Sequence, residues 1–141
     1  LLVAGCAWFA SSPEKTDADE LWKERVRAAD IVVIARTMKI EETGALGWRW
    51  VFIDSKAILR GTPLPIIRVL VPDALPVEGP AALDIENPQV LWILRLSRYR
   101  LDAKTTGTAY IALLPIDVHP IHADTEEHID GIIEFTKSLG K

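Results

Sequence analysis

Hydrophobic and polar positions change their period twice along this chain. Trp22, Val26 and Ala29 recur at i, i+4 and i+7 and make one apolar stripe on a helix that ends near Asp30. Ahead of it, Thr16-Asp17-Ala18-Asp19 has capping-box spacing, with Thr16 placed to cap the Asp19 amide and both acids suited to a helix N-terminus. From Ile31 the pattern turns β-branched. It predicts strands over Ile31 to Ile40, Trp48 to Leu59, Ile66 to Val71, Val90 to Arg100 and Ala109 to Leu114. Pro65 and Pro72 bound the third, since neither can donate to a ladder. A helical period then returns at Ile129, Ile132, Ile133, Thr136 and Leu139, with Asp124 as the expected N-cap and Gly140 at C′. Five strands with almost no helix between them predict a mainly β (α+β) fold: a small five-stranded antiparallel OB-like Greek-key barrel flanked by an N-terminal and a C-terminal helix.

The second predicted strand is the most informative. Its odd positions, Val51, Ile53, Ser55, Ala57 and Leu59, are free of charge, whereas its even positions run Trp48, Trp50, Phe52, Asp54, Lys56. Side chains alternate across a sheet, so the odd face is expected to line the barrel and the three aromatics to project outward. Large rings left in water make an interaction patch, so Trp48, Trp50 and Phe52 are the candidate partner-binding residues. Intramolecular cover is the competing outcome, with at least one tryptophan under a helix and Trp22 or the C-terminal isoleucines as its partners.

Composition narrows the classes. The 141 residues are 49% hydrophobic and 26% charged, as in a globular domain. Sixteen basic against twenty acidic side chains give a net charge of −4, which provides no broad footprint for nucleic acid. One cysteine excludes an internal disulfide. Residues 1–16 read as the end of a signal peptide, a modification site and a polar tether; residues 17–141 read as one domain.

The chain opens Leu1-Leu2-Val3-Ala4-Gly5-Cys6. Leu2 to Cys6 resembles the lipobox of bacterial lipoproteins, an apolar end followed by the small residues that a signal peptidase accepts. The resemblance implies a diacylglyceryl group on the Cys6 thiol and an acylated Cys6 amine. Such chains anchor a domain through about 0.8 kcal/mol per buried CH₂. It implies the bacterial cell envelope, with Ala7 after the cysteine suiting the outer membrane and its periplasmic face in a Gram-negative host. The alternative is an apolar N-terminal strand containing one buried cysteine.

A second resemblance concerns the domain. Ala29-Asp30-Ile31-Val32-Val33-Ile34-Ala35-Arg36, then Lys56-Ala57-Ile58-Leu59-Arg60-Gly61, then Val90-Leu91-Trp92-Ile93-Leu94 is similar to the strand patterning of netrin-like (TIMP-like) OB-fold domains. The similarity spans residues 29 to 114 and implies an OB fold and a binding-module role. Ala35 stands where that family has glycine, and Pro88-Gln89 replaces a further one. The disulfides of the animal members are absent. The zinc-chelating N-terminal cysteine of TIMPs has no counterpart if the Cys6 amine is acylated, so protease inhibition does not carry over.

No Gly-x-Gly, Walker loop, His-Glu-x-x-His or Gly-x-Ser-x-Gly occurs, and no catalytic residue or cofactor is expected. His119 and His122, with Asp117, Asp124 and His128 nearby, are the residues from which a metal or small-ligand site could be built. Their spacing matches no zinc pattern, and no metal site is expected there. Asp73, Glu78, Asp84 and Glu86 make the segment Pro72 to Pro88 acidic, read as a solvated insertion or a functional loop. Arg95, Arg98 and Arg100 beside Tyr99 read as a solvated strand face. The sequence therefore points to a non-catalytic, lipid-anchored protein-binding or assembly module, with a metal- or ligand-binding lipoprotein using His119 and His122 as the alternative. Envelope proteins and the membrane are the expected partners, and nucleic acid is not.

Overall fold

The computed structural model describes residues 21–73, 89–113, 115–121 and 123–139. Cys6, the tether, the capping box at Thr16, most of the acidic segment, His122 and Gly140 lie outside the described residues.

A helix over residues 21–28 (α1) leads into β1 (Ile31–Glu42), β2 (Trp48–Arg60), β3 (Ile66–Pro72), β4 (Val90–Arg100), β5 (Thr106–Ile111) and β6 (Val118–Pro120), followed by α2 (Glu126–Ser138). The fold is mainly β, as expected, but the sheet has six strands and is mixed. β3 runs parallel to β5 through Val69↔Tyr110 and Leu70↔Ile111, which corrects the wholly antiparallel expectation. The other neighbours pair antiparallel: β1 with β2 and β4, β2 with β3, and β4 with β5 and β6. Pairing thus passes unevenly round β1-β2-β3-β5-β4 and back to β1. The fifth strand runs Thr106–Ile111 rather than Ala109 to Leu114, and an added three-residue β6, which ends in proline, pairs with the edge of β4.

Alternation along these strands builds two apolar layers from one sheet. One face of the ring supplies Ile31, Val33, Ala35, Val51, Ile53, Ile67, Val69, Val71, Val90, Trp92 and Leu94, all essentially inaccessible. The opposite face of β1 and the first half of β4 supplies Val32, Leu91 and Ile93, which meet Val26 of α1, Ala29 just after it, and Ile129 and Ile132 of α2. Of the predicted stripes, Val26, Ala29, Ile129, Ile132 and Thr136 are buried, and Trp22, Ile133 and Leu139 are partly buried against them.

The α1–β1 junction is clamped by Asp30. Its backbone N–H donates to the Leu94 carbonyl (2.8 Å), and its carboxylate accepts the Leu96 N–H (2.7 Å), just where β4 parts from β1. The Asp30 carbonyl in turn lies against Gly61, whose φ of +101° and lack of a Cβ let the end of β2 pass. At α2 the expected cap is corrected. Asp124 sits in a 3-10 turn (Ala123–Thr125), and the cap position is Thr125, whose hydroxyl donates to the Pro120 carbonyl at 2.9 Å and so ties the helix to β6.

Candidate functional site

β2 alternates as its sequence predicts. Val51 and Ile53 are fully buried inside, and Trp48, Trp50 and Phe52 stand on the outer face. What covers them differs from expectation. Neither helix reaches them, because α1 and α2 commit their apolar stripes to β1, the first half of β4 and the far end of β2 at Leu59. Trp22 instead lies between the helices, edge-on to Phe135 at 5.4 Å and His128 at 6.0 Å.

Trp50 is covered by the sheet itself. It is 8% exposed and packs with Leu70 of β3 and Ala109 and Ile111 of β5. Tyr99 of β4 meets its ring edge-on at 5.5 Å, and the Arg68 guanidinium lies 3.7 Å from the ring centroid. At that distance the cation–π attraction and the planar fit of guanidinium on indole both act. Trp48 and Phe52 flank this cluster and remain half-buried, with the Lys39 ammonium 4.8 Å from the Phe52 centroid. The result is an outer patch with one buried anchor and a rim of aromatic and cationic side chains.

The patch continues toward α1 into a cleft of about 150 Å³ lined by Arg25, Arg95, Ser97, Ile111 and Leu113. Ile111 belongs to both. Arg25 is held there by a two-point ion pair with Asp117, Nε to Oδ1 at 2.8 Å and Nη2 to Oδ2 at 2.7 Å. Asp117 is fully buried and also accepts the Leu113 N–H at 3.1 Å. The bond to Asp117 raises the Arg25 pKa, so this cation stays charged. Neither partner was singled out for this role from the sequence. The available signal is that Arg25 falls three residues after Trp22, on the margin of the helix's apolar stripe, where a charge needs a partner.

Of the three histidines, the structure describes His119 and His128. His119 pairs through Nε2 with the Ile116 carbonyl, and its ring centroid lies 5.2 Å from that of His128. Burial, chiefly, lowers the His119 pKa to about 4, so the ring is neutral near pH 7 with Nε2 as the donor. Asp117 is engaged by Arg25, and Asp124 is exposed. Among the described residues no group of three His, Cys, Asp or Glu side chains is placed to hold a metal ion. Arg95 shares the outer face with Tyr99, whereas Arg98 and Arg100 fall on the alternate positions of β4. The three arginines therefore do not form one surface.

No protein-family model and no curated protein matches the chain.

Proposed function

We propose that this chain is a non-catalytic protein-binding or assembly module of the bacterial cell envelope, tethered through an acylated Cys6. We read its architecture as an OB-like barrel. The closed pairing order, with one parallel step between β3 and β5, supports that reading. The observation that carries the function is the outer patch of β2. Trp48 and Phe52, half-buried on a face that the helices leave free, flank the covered Trp50 among cationic side chains, and partly exposed aromatic rings of this kind are what protein interfaces use to concentrate binding energy.

Two experiments test it. Protein expressed from its full-length gene takes up labelled fatty acid and partitions with membranes, and a Cys6→Ser variant does neither; equal labelling of that variant would sink the anchor. Retention of a partner from native membranes falls in Trp48→Ala and Phe52→Ala at unchanged melting temperature. Full retention in both variants removes the patch from the function.

A further inference from the structure

The cleft beside the aromatic patch has the make-up of a carboxylate subsite. Its lining combines the apolar Ile111 and half-exposed Leu113 with Ser97 and the two arginines, Arg25 and Arg95. The two arginines contribute differently. Arg25 is pinned by Asp117 through Nε and Nη2, so its position is fixed and its charge largely compensated, with Nη1 making no hydrogen bond among the described residues. Arg95 is exposed and makes no ion pair among the described residues, so it supplies the net positive charge.

The rest of the β4–β5 arm is also basic in sequence. Between residues 95 and 108 the chain carries Arg95, Arg98, Arg100 and Lys104 against Asp102 alone. The Asp102 carboxylate already accepts the Lys104 and Thr105 N–H groups of the turn, each at 2.8 Å. Because Arg98 and Arg100 lie on the alternate positions of β4 and Lys104 lies in the turn beyond, they contribute only a screened background charge, and Arg95 is the cation that faces the cleft.

From this we infer that the cleft takes a glutamate side chain of an acidic peptide segment in the partner protein, its carboxylate between Arg95 and Arg25 and its stem on Ile111 and Leu113. The inference rests on the protein-binding reading above and names the chemistry of the partner. Size agrees, since about 150 Å³ holds a group the size of benzene, enough for a short aliphatic stem and its carboxylate. Single-stranded nucleic acid fits poorly. Its bases need open aromatic faces, and the Trp50 ring is 8% exposed with Arg68 lying on it.

The test is an NMR titration of the isotope-labelled full chain with acetyl-Leu-Glu-Leu-amide, its Gln counterpart and a short oligothymidylate. The Glu peptide shifts the amides of Ser97, Ile111 and Leu113, and added salt weakens it. Loss of one charge-assisted pair in Arg95→Gln weakens binding about tenfold or more. Lys104→Gln, on the same arm but outside the cleft, changes it less than about twofold at ordinary ionic strength. Equal binding of the Gln peptide, an unaffected Arg95→Gln variant, absence of shifts, or stronger shifts with the oligonucleotide overturns the inference. If the peptide binds while Trp48→Ala and Phe52→Ala still retain the partner, the aromatic patch fails and the subsite stands. If those variants lose the partner and the peptide leaves the cleft unmoved, the subsite alone fails.

Discussion

The stability of this protein should fall steeply on mild acidification, and His119 is the group responsible. In the folded chain its pKa is lowered to about 4, chiefly by burial, against an ordinary value of 6.5. Between those two values the unfolded chain binds a proton that the folded chain refuses. Stability is therefore complete above about pH 6.5 and is lost as the pH falls toward 4. At about 1.36 kcal/mol for each tenfold change in proton affinity, the loss amounts to roughly 3 kcal/mol, a large part of a small domain's total. The perturbation that isolates it is His119→Gln. Glutamine's amide nitrogen reaches about as far as Nε2, so it keeps a donor for the Ile116 carbonyl but cannot titrate. Urea unfolding followed by fluorescence, at steps from pH 7.5 to 4, measures both proteins. The parent should lose roughly 3 kcal/mol more than the variant over that range. Parallel pH profiles would refute the reasoning, because they would mean that His119 takes up its proton without cost to the fold.

Other expectations follow from the same contacts. Trp50→Ala empties the site packed by Leu70, Ile111, Tyr99 and Arg68 and should cost about 3 kcal/mol or more in thermal or urea unfolding. Arg25→Met leaves the Asp117 carboxylate buried without its counter-ion. Since Arg25 is itself 20% exposed, a loss of about 2–3 kcal/mol is expected in the same assay, and Arg25→Met with Asp117→Asn should recover part of it. Gly61→Ala drives a Cβ into the Asp30 carbonyl at a φ of +101°, so its melting temperature should drop by more than about 5 °C. A Gly44→Ala change, also at positive φ but in open space, should cost less.

What was legible in the sequence is what depends on near neighbours. Alternation along Trp48 to Leu59 identifies Val51 and Ile53 as inward and the aromatics as outward, because a strand's period is a local property. The stripes of Val26 with Ala29 and of Ile129 with Ile132 are likewise local. What was not legible depends on which surfaces meet. The β3–β5 step rests on two residue pairs and leaves no periodic trace. β6 is three residues ending in proline, below the length at which a pattern can form. Cover for Trp50 comes from β3, β4 and β5 and not from a helix, which only the packing of the helices elsewhere decides. The Arg25–Asp117 pair joins residues 92 positions apart, and nothing near either residue announces the other.

The short step between β3 and β5 has a kinetic meaning. Two residue pairs and the Ala112 N–H donating to the Leu70 carbonyl (3.2 Å) close this side of the ring, whereas β1 meets β2 over most of its length. The β1–β2 hairpin can form early from neighbouring sequence, but this seam must wait until β3 and β5, some forty residues apart, are brought together. It joins the fewest residue pairs of the closed pairing order and is therefore the first part to open. Native-state hydrogen exchange should find the amides of Leu70, Ile111 and Ala112 opening at lower free energy than those of Val33 or Ile53. Each such opening loosens Leu70 and Ile111 beneath Trp50, so anything that grips the outer patch slows the breathing of the sheet behind it.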